Sequence, residues 1–568
     1  MKIVATTAGL IALGVLQFLR AATPDFGPNV LIFDPSMSTI QSQVDEVFKK
    51  QERNQFGTER YAFLFKPGQY QLDVQLGFLT HAIGLGKSPD DVSVTGAVRA
   101  TAGWGNGDAT CNFWRTVENL SVTPTLDQKT NAWSLSQGAA LRRTHIRGNL
   151  RLSDSGHSSG GYMADCKIDG SVNSGSQQQW FSRNCDWGHW SGGVWNMFFL
   201  GIINPPAGKW PDQPYTVIEK TPVIREKPYL CINASGNYFV MVPNLAAEGT
   251  QGVSWTKVTA GTELPIEQFY IAQPEKDNAA SLNQALRQGK NLLLTPGIYH
   301  LDATIRISRP DTVVLGLGYP TLIPDKGEPA LVISDVDGVK VGGIMFDAGT
   351  EKTPVLLQVG EPGSKASHAK DPICLYDVFC RVGGAEIGTA DCMVTIHSND
   401  VIGDHFWLWR ADHARIRKTG TGWTVNPNKN GLIVNGNNVT VYGLFVEHCQ
   451  EYQTLWNGNG GRVFFYQSEM PYDPPTIESW QNGSETGYAS YKVNDAVTTH
   501  EAWGLGIYCV FKAAPVVAEN AIETPDVPGV KLHHMVTIRL TGMPGSGIRN
   551  IINGKGGSVI TTFKQTME

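Results

Sequence analysis

The stretch VTTHEAWGLGIYCVF (497–511) sets a carboxylic acid beside an indole. Strand alternation puts Glu501 and Trp503 on one face, His500 and Ala502 on the other. Such a pair suits sugar chemistry. The ring can stack on a pyranose, and its apolar surface raises the carboxyl pKa toward a value useful to a general acid. On residue type alone, a Glu in an ordinary surface ion pair is the commoner outcome. VFFYQSEMPYDPP (463–475) supplies Gln467 and Glu469 on a shared face, with Asp473 and Glu478 in the loop beyond. HFWLWRADH (405–413) places Trp407 and Trp409 on one face, and Trp456 precedes the Gly/Asn turn of LWNGNGGR (455–462). Outward tryptophans in a group mark a binding surface, whereas any single one is as well explained by core packing. In the first half, SGSQQQWFSRNCDWGHWSGGVWNMFF (174–199) puts Gln177 and Gln179 on one face amid Trp180, Trp187, Trp190 and Trp195, as a pocket wall or as packing between domains.

Other chemistries find no support. There is no GxSxG, P-loop, HExxH or dinucleotide-binding glycine pattern, and neither a metal nor a cofactor is expected. The net charge of −6 excludes a generally basic nucleic-acid binder. The N-terminus, MKIVATTAGLIALGVLQFLRAA, has one Lys, a short apolar run and small residues, which is the layout of a secretory signal peptide over residues 1–22. The run is short for a membrane span, so a secreted, extracellular chain is expected. Nine scattered Cys in a secreted protein predict some disulfides, with at least one thiol left over. Sequons stand at Asn119, Asn233, Asn438 and Asn482.

These residues need a scaffold, and an internal repeat indicates one. FLFKPGQYQLD (63–73) returns as LLLTPGIYHLD (292–302): Pro67, Gly68, Tyr70, Leu72 and Asp73 match Pro296, Gly297, Tyr299, Leu301 and Asp302, each pair 229 residues apart. An amphipathic stretch (39–50 and 281–290) precedes each copy and predicts a short helix. Within the second half, segments such as NDVIGDHFWLWRAD and NNVTVYGLFVEHC open on Asn or Asp, alternate apolar residues, and pass through a bend. Asn and Asp tolerate the left-handed conformation such bends require. Coils of this kind stack into a parallel β-helix. Gly 62 and Pro 31 agree with many turns and few helices. The reading is all-β: two tandem right-handed parallel β-helix domains side by side, each starting with a short helix. They span 23–205 and 276–568, with a linker region at 206–275.

With these segments in view, the chain resembles glycoside hydrolase family 55, the exo-β-1,3-glucanases or laminarinases. The similar stretches include PDFGPNVLIFDPSM, FKPGQYQL, SQQQW, REKPYL, PDTVVLGLG, DVIGDHFWLWRADH, GLFVEH, WNGNGG, FYQSEMPYD, GYASYKV and HEAWGLGIY, in order over nearly the whole mature chain. The resemblance implies an active site in the cleft between two β-helices and release of glucose from the non-reducing end of β-1,3-glucan with inversion. It implies Glu501, in the HEAWG-type strand, as general acid. Glu469 is the second carboxylate, with Glu478 as its rival, and Gln177 or Gln179 helps hold the water. It further implies a small hydroxyl residue after the NMFF strand, where this chain has Leu200. Trp409, Trp456 and Trp503 are the expected sugar-stacking rings. The expected partner is β-1,3-glucan, bound by a monomer, with no nucleic acid and no membrane after signal cleavage. The rivals are a β-helix hydrolase or lyase on another wall polysaccharide, and a non-catalytic glucan-binding surface protein.

Overall fold

The duplicated segment does the same structural work twice. In each copy a short strand (Tyr61–Phe65, Asn291–Leu294) runs through Pro-Gly into a second strand (Gly68–Gln75, Ile298–Leu301). Gly68 and Gly297 have positive φ, and a Cβ on either would strike a proline, Pro35 or Pro274. The tyrosine two residues on turns its hydroxyl to backbone carbonyls: Tyr70 to Lys66 and Phe33, Tyr299 to Thr295 and Ala272. A helix closes the start of each stack. Ile40–Gln51 buries Ile40, Val44 and Val47; Ala279–Arg287, capped by Asn278 and Ser281, buries Ala279, Leu282, Ala285 and Leu286.

The computed structural model describes residues 23–256, 260–415 and 420–568. The expected signal segment, 1–22, lies outside them. The chain forms two parallel β-helices, as the sequence predicts. In the first, strands from Val30–Phe33 to Tyr215–Ile218 pair in parallel, one coil per step. This stack therefore continues past residue 205. In the second, one parallel sheet begins at Phe269–Ala272, and a second sheet from Ile305–Ile307 to Gly547–Ile552 forms the other wall. Between the stacks, residues 224–265 make small antiparallel sheets. Apolar side chains fill each coil, with aliphatic layers in the second stack and more aromatic ones, including Trp133, Trp180, Trp187 and Trp190, in the first.

Every long strand of the second stack bends at one register. Gly343, Asp377, His405, Gly443, Phe465, Gly504 and His534 lie side by side across successive strands, all with φ between 47° and 74°. Asn119, Arg143, Asp165, Asn184 and Gly201 form the same left-handed row in the first stack. Asparagines repeat at the coil openings: Asn399 accepts from the Asn437 amide, and Asn437 from that of Asn459, each at 2.8 Å.

The stacks mate along these bent strands. Phe113, Trp114, Tyr162, Phe181 and Phe198 of the first pack on Phe379, Trp407, Phe445 and Phe465 of the second. An ionic network is buried in the same seam. Arg142 reaches Asp377 and Asp404 at 2.7 and 2.8 Å, Arg183 reaches Asp404 and Glu226, and Lys227 reaches Glu118 and Asp377. Removing one member of such a network typically costs about 3–5 kcal/mol, because its partner stays buried and unpaired.

The nine cysteines form no disulfide, and eight of them are buried. Several sit in coil interiors with thiols turned to backbone carbonyls, as Cys166 and Cys185 do. The Asn119 sequon is closed to modification: its side chain is buried and bonded to the Gly84 and Gly86 carbonyls.

Candidate active site

Beyond the bend, the strands Cys374–Val382, Ile402–Arg410, Thr440–Glu447 and Gly461–Glu469 carry one outward row: Arg381, Trp409, Glu447, Glu469. Glu447 and Glu469 occupy equivalent positions in consecutive coils, so their backbones stand about 4.8 Å apart. They line a cavity of about 160 Å³ closed on the other side by Thr110, Cys111, Phe113, Gln137 and Ser159 of the first stack. Trp407 and Trp409, stacked at 5.1 Å, form its floor.

The two carboxyls differ in surroundings. Glu447 is buried and meets only donors. Its Oε1 accepts from Gln137 Nε2 and Gln467 Nε2, both at 2.8 Å, and its Oε2 from Trp407 Nε1 at 2.9 Å. Burial nevertheless pushes Glu447 well above the usual carboxylate range, and the neighbouring Glu469 charge adds to the rise. Glu469 is part-exposed toward the cavity and bonded to the Tyr472 hydroxyl. Burial raises it too, against the pull of His448 and Tyr472. Two such neighbours share one proton rather than ionise together. The three N–H donors on Glu447 favour its ionised form and so work against the rise that burial imposes.

The supporting contacts hold this geometry. Gln137 is fixed through its carbonyl, which meets His405 Nε2 at 3.0 Å, while His405 Nδ1 meets Asp377 at 3.0 Å. Arg410 clamps Asp473 with two bonds of 2.9 Å and so pins the loop that carries Tyr472. At the mouth, Asp412 pairs with His413 at 2.8 Å. Burial disfavours the Asp412 charge, but the His413 bond and the His448 charge outweigh it and hold Asp412 below its ordinary value. Burial likewise opposes the charge on His413, yet its bond to Asp412 lifts the imidazole to about 10.

The residues expected from sequence divide sharply. Glu469 and Trp409 line the cavity. Gln179 lies buried against its first-stack wall: its amide meets the Ser159 carbonyl, and its Oε1 has no partner among the described residues. Gln177 does not face the cleft. It is wholly buried, bonded to the carbonyls of Leu135 and Leu152 and the amide of Gly160, and it staples coils together. Trp456 is also a correction. In Thr454–Trp456 it is Leu455 that points outward, and Trp456 packs in the core 4.8 Å from the His500 ring. Glu478 is exposed on its loop, outside the cavity.

Glu501 and Trp503 do face outward, with His500 and Ala502 inward, but they stand apart from the cavity. Glu501 pairs in register with Arg462, seven residues ahead of Glu469 and across the bend. At about 3.3 Å per residue, seven residues carry Glu501 roughly 20 Å along the strands, too far to act on a bond held beside Glu469. Among the described residues, the only ionisable group within ion-pair distance of Glu501 is His533, at 3.6 Å. Trp503 is sandwiched between Phe464 at 4.7 Å and His533 at 5.6 Å, so neither ring face is free for a sugar. Sequence reasoning missed Glu447, Gln137 and Ser159. GLFVE and FYQSE are 22-residue-spaced strand ends, and aligning coils on them would have found Glu447. Gln137 and Ser159 carry no local signal. Ser159 brings a hydroxyl to the cavity from a coil other than the one expected.

A buried carboxyl pair in a crevice is the arrangement of a glycoside hydrolase, here set on paired parallel β-helices. The profile of the LAM55 pectate lyase-like domain matches residues 269–469. An exo-beta-1,3-glucanase of Streptomyces sp. (strain SirexAA-E / ActE) is 48% identical over 523 residues, covering 91% of this chain and 85% of that protein. The structure of sacteLam55A from Streptomyces sp. SirexAA-E superposes with a TM-score of 0.92 at 46% identity, over 96% of this chain and 98% of that one. A variant of that enzyme, with one glutamate changed to alanine and solved in complex with glucose, matches equally well. The chain belongs to glycoside hydrolase family 55, the exo-β-1,3-glucanases, and is a glucan hydrolase.

Proposed function

We propose that this chain removes single glucose units from the non-reducing ends of β-1,3-glucan with inversion, Glu469 giving the proton and Glu447 placing the water. The observation that carries the roles of the two glutamates is the buried pair of carboxyls, one coil apart, at the inner end of the inter-domain cavity; inversion rests on the family resemblance. At about 160 Å³ the cavity is well below the roughly 300–1,000 Å³ of drug-sized pockets. That suits one terminal sugar and hence exo attack. The name and the glucose complex of the matched Streptomyces enzyme support the same substrate.

Glu469 donates to the glycosidic oxygen as the bond to the anomeric carbon breaks. Glu447 has one Oε2 lone pair left over from its three donors. It orients a water and takes that water's proton as its oxygen attacks the opposite face of the ring. Gln137 holds Glu447 in place, and Ser159 offers a further hydroxyl. Trp409 supplies the apolar floor. Both walls come from one chain, which supports a monomer as the working unit. The apolar N-terminal segment supports export, with laminarin-type polysaccharide met outside the cell. The test is purified protein on laminarin, with products resolved by chain length and the first anomer read by NMR. Glucose alone, released as the α-anomer, is expected; unsaturated sugars, mixed oligomers or a β-anomer product would reject the reading.

A further inference from the structure

On the same inter-domain seam, but on the far side of the Phe56–Thr58 turn from the cavity mouth, lies a second pocket of about 310 Å³. Its walls are largely apolar, with Phe56, Ile298, Ile323, Ala348 and Ile387 among them. Its lining also includes two arginines, one from each stack. Arg60 is fully buried. Its Nε meets the Tyr319 carbonyl and Thr321 Oγ1, and its Nη1 meets the carbonyls of Gly57 and Thr58. All these partners are neutral. Arg381, 1% exposed, is engaged by Asp347 through Nε at 3.0 Å and Nη2 at 2.6 Å. Arg60 Nη2 and Arg381 Nη1 have no partner among the described residues.

The charges do not balance. Two guanidiniums face one carboxylate, and Asp347 is already held by both of its oxygens. Of the rim carboxylates, Glu386 pairs with Arg415, and Asp325 lies beside the His300 imidazole. Burial pushes the Arg60 guanidinium down to about 9, with Asp347 opposing that fall and the Arg381 charge adding to it. A buried, uncompensated positive charge with two enclosed and unpartnered N–H groups is costly, and an anion that reaches them by a shift of the covering side chains relieves it.

We propose that this pocket is a binding site for a small organic monocarboxylate, whose carboxylate joins Arg60 to Arg381 and whose apolar body fills the isoleucine-lined space. The apolar walls select against a bare inorganic anion. Because the two arginines come from different stacks, the ligand would strengthen the seam between them.

Thermal unfolding of the full chain with benzoate, the uncharged isostere benzamide, and inorganic phosphate tests this. Benzoate is expected to raise Tm saturably by a few degrees, while benzamide and phosphate leave it unchanged. Arg60→Gln is expected to abolish the shift. Ile387→Glu, at an exposed rim position (48%) that folding does not need, is expected to weaken benzoate at least tenfold by charge repulsion. If Arg60→Gln does not fold, Ile387→Glu decides alone. No benzoate shift, an equal shift from benzamide or phosphate, or undiminished binding in Ile387→Glu would overturn the proposal.

Discussion

Glu469 and Glu501 sit at opposite ends of the same adjacent strands, Gly461–Glu469 and His500–Phe511. Each has an aromatic neighbour, and each fits the sequence pattern of a sugar-cleaving acid. Past the bend, Glu469 is walled in by the first stack and faces a second carboxyl. Before the bend, Glu501 keeps 41% of its side chain exposed beside His533. A carboxyl near an indole is therefore not enough. In the proposed mechanism, what makes Glu469 the acid is burial in a crevice with a like-charged neighbour that forces the two to divide one proton.

The sharpest way to break this contrast is to neutralise each end in turn. Glu469→Gln is expected to lower glucose release from laminarin by about 10²–10⁴-fold, the usual worth of a general acid, while Glu501→Gln stays within a few-fold of wild type. Reversed results would move the chemistry to the other end of the strands. Glu447→Gln should cost nearly as much in kcat with little change in KM, because the ionised base is gone while the sugar's walls remain.

The pH–rate profile sharpens the comparison further. Burial raises both cavity glutamates, so the descending limb, where the acid loses its proton, should lie above the ordinary Glu value of about 4.5. In Glu501→Gln that limb should not move. A smaller effect, about tenfold in kcat, is expected when His405→Asn frees the Gln137 carbonyl and lets Gln137 drift from Glu447. The seam gives the last check. Lys227 and His81 overcome burial and hold Glu118 at about 2. A depressed carboxyl contributes stability above its unfolded value, and loses it as pH falls from about 4.5 toward 2. Chemical denaturation across that window should show a loss larger by on the order of 3 kcal/mol in the wild type than in Glu118→Gln.

Much of this was legible in the residues. The repeat around Pro67-Gly68 and Pro296-Gly297 announced two equivalent stacks, because Gly and Tyr there meet a backbone demand that any such start must meet. Alternation correctly turned Trp407 and Trp409 outward and His500 inward. Trp456 and Gln177 were misread because a three-residue strand and an irregular turn leave the inside–outside parity unset. Membership of the cavity was not legible at all for Gln137 and Ser159. They are brought to Glu447 by docking of one stack on the other, and that contact is hundreds of residues away in the chain.

The row of left-handed residues running down the second stack sets the terms on which the enzyme can vary. Because each strand turns at one common register, the side chains beyond it are aimed together, like slats on a single hinge line. An insertion in the loop between Glu469 and Tyr491 lengthens a coil without rotating any slat. One extra residue between His405 and Trp409 would swing Trp409 inward and the row would lose its floor. Length polymorphism should therefore gather in the outer loops and be absent from the five residues that follow each turn.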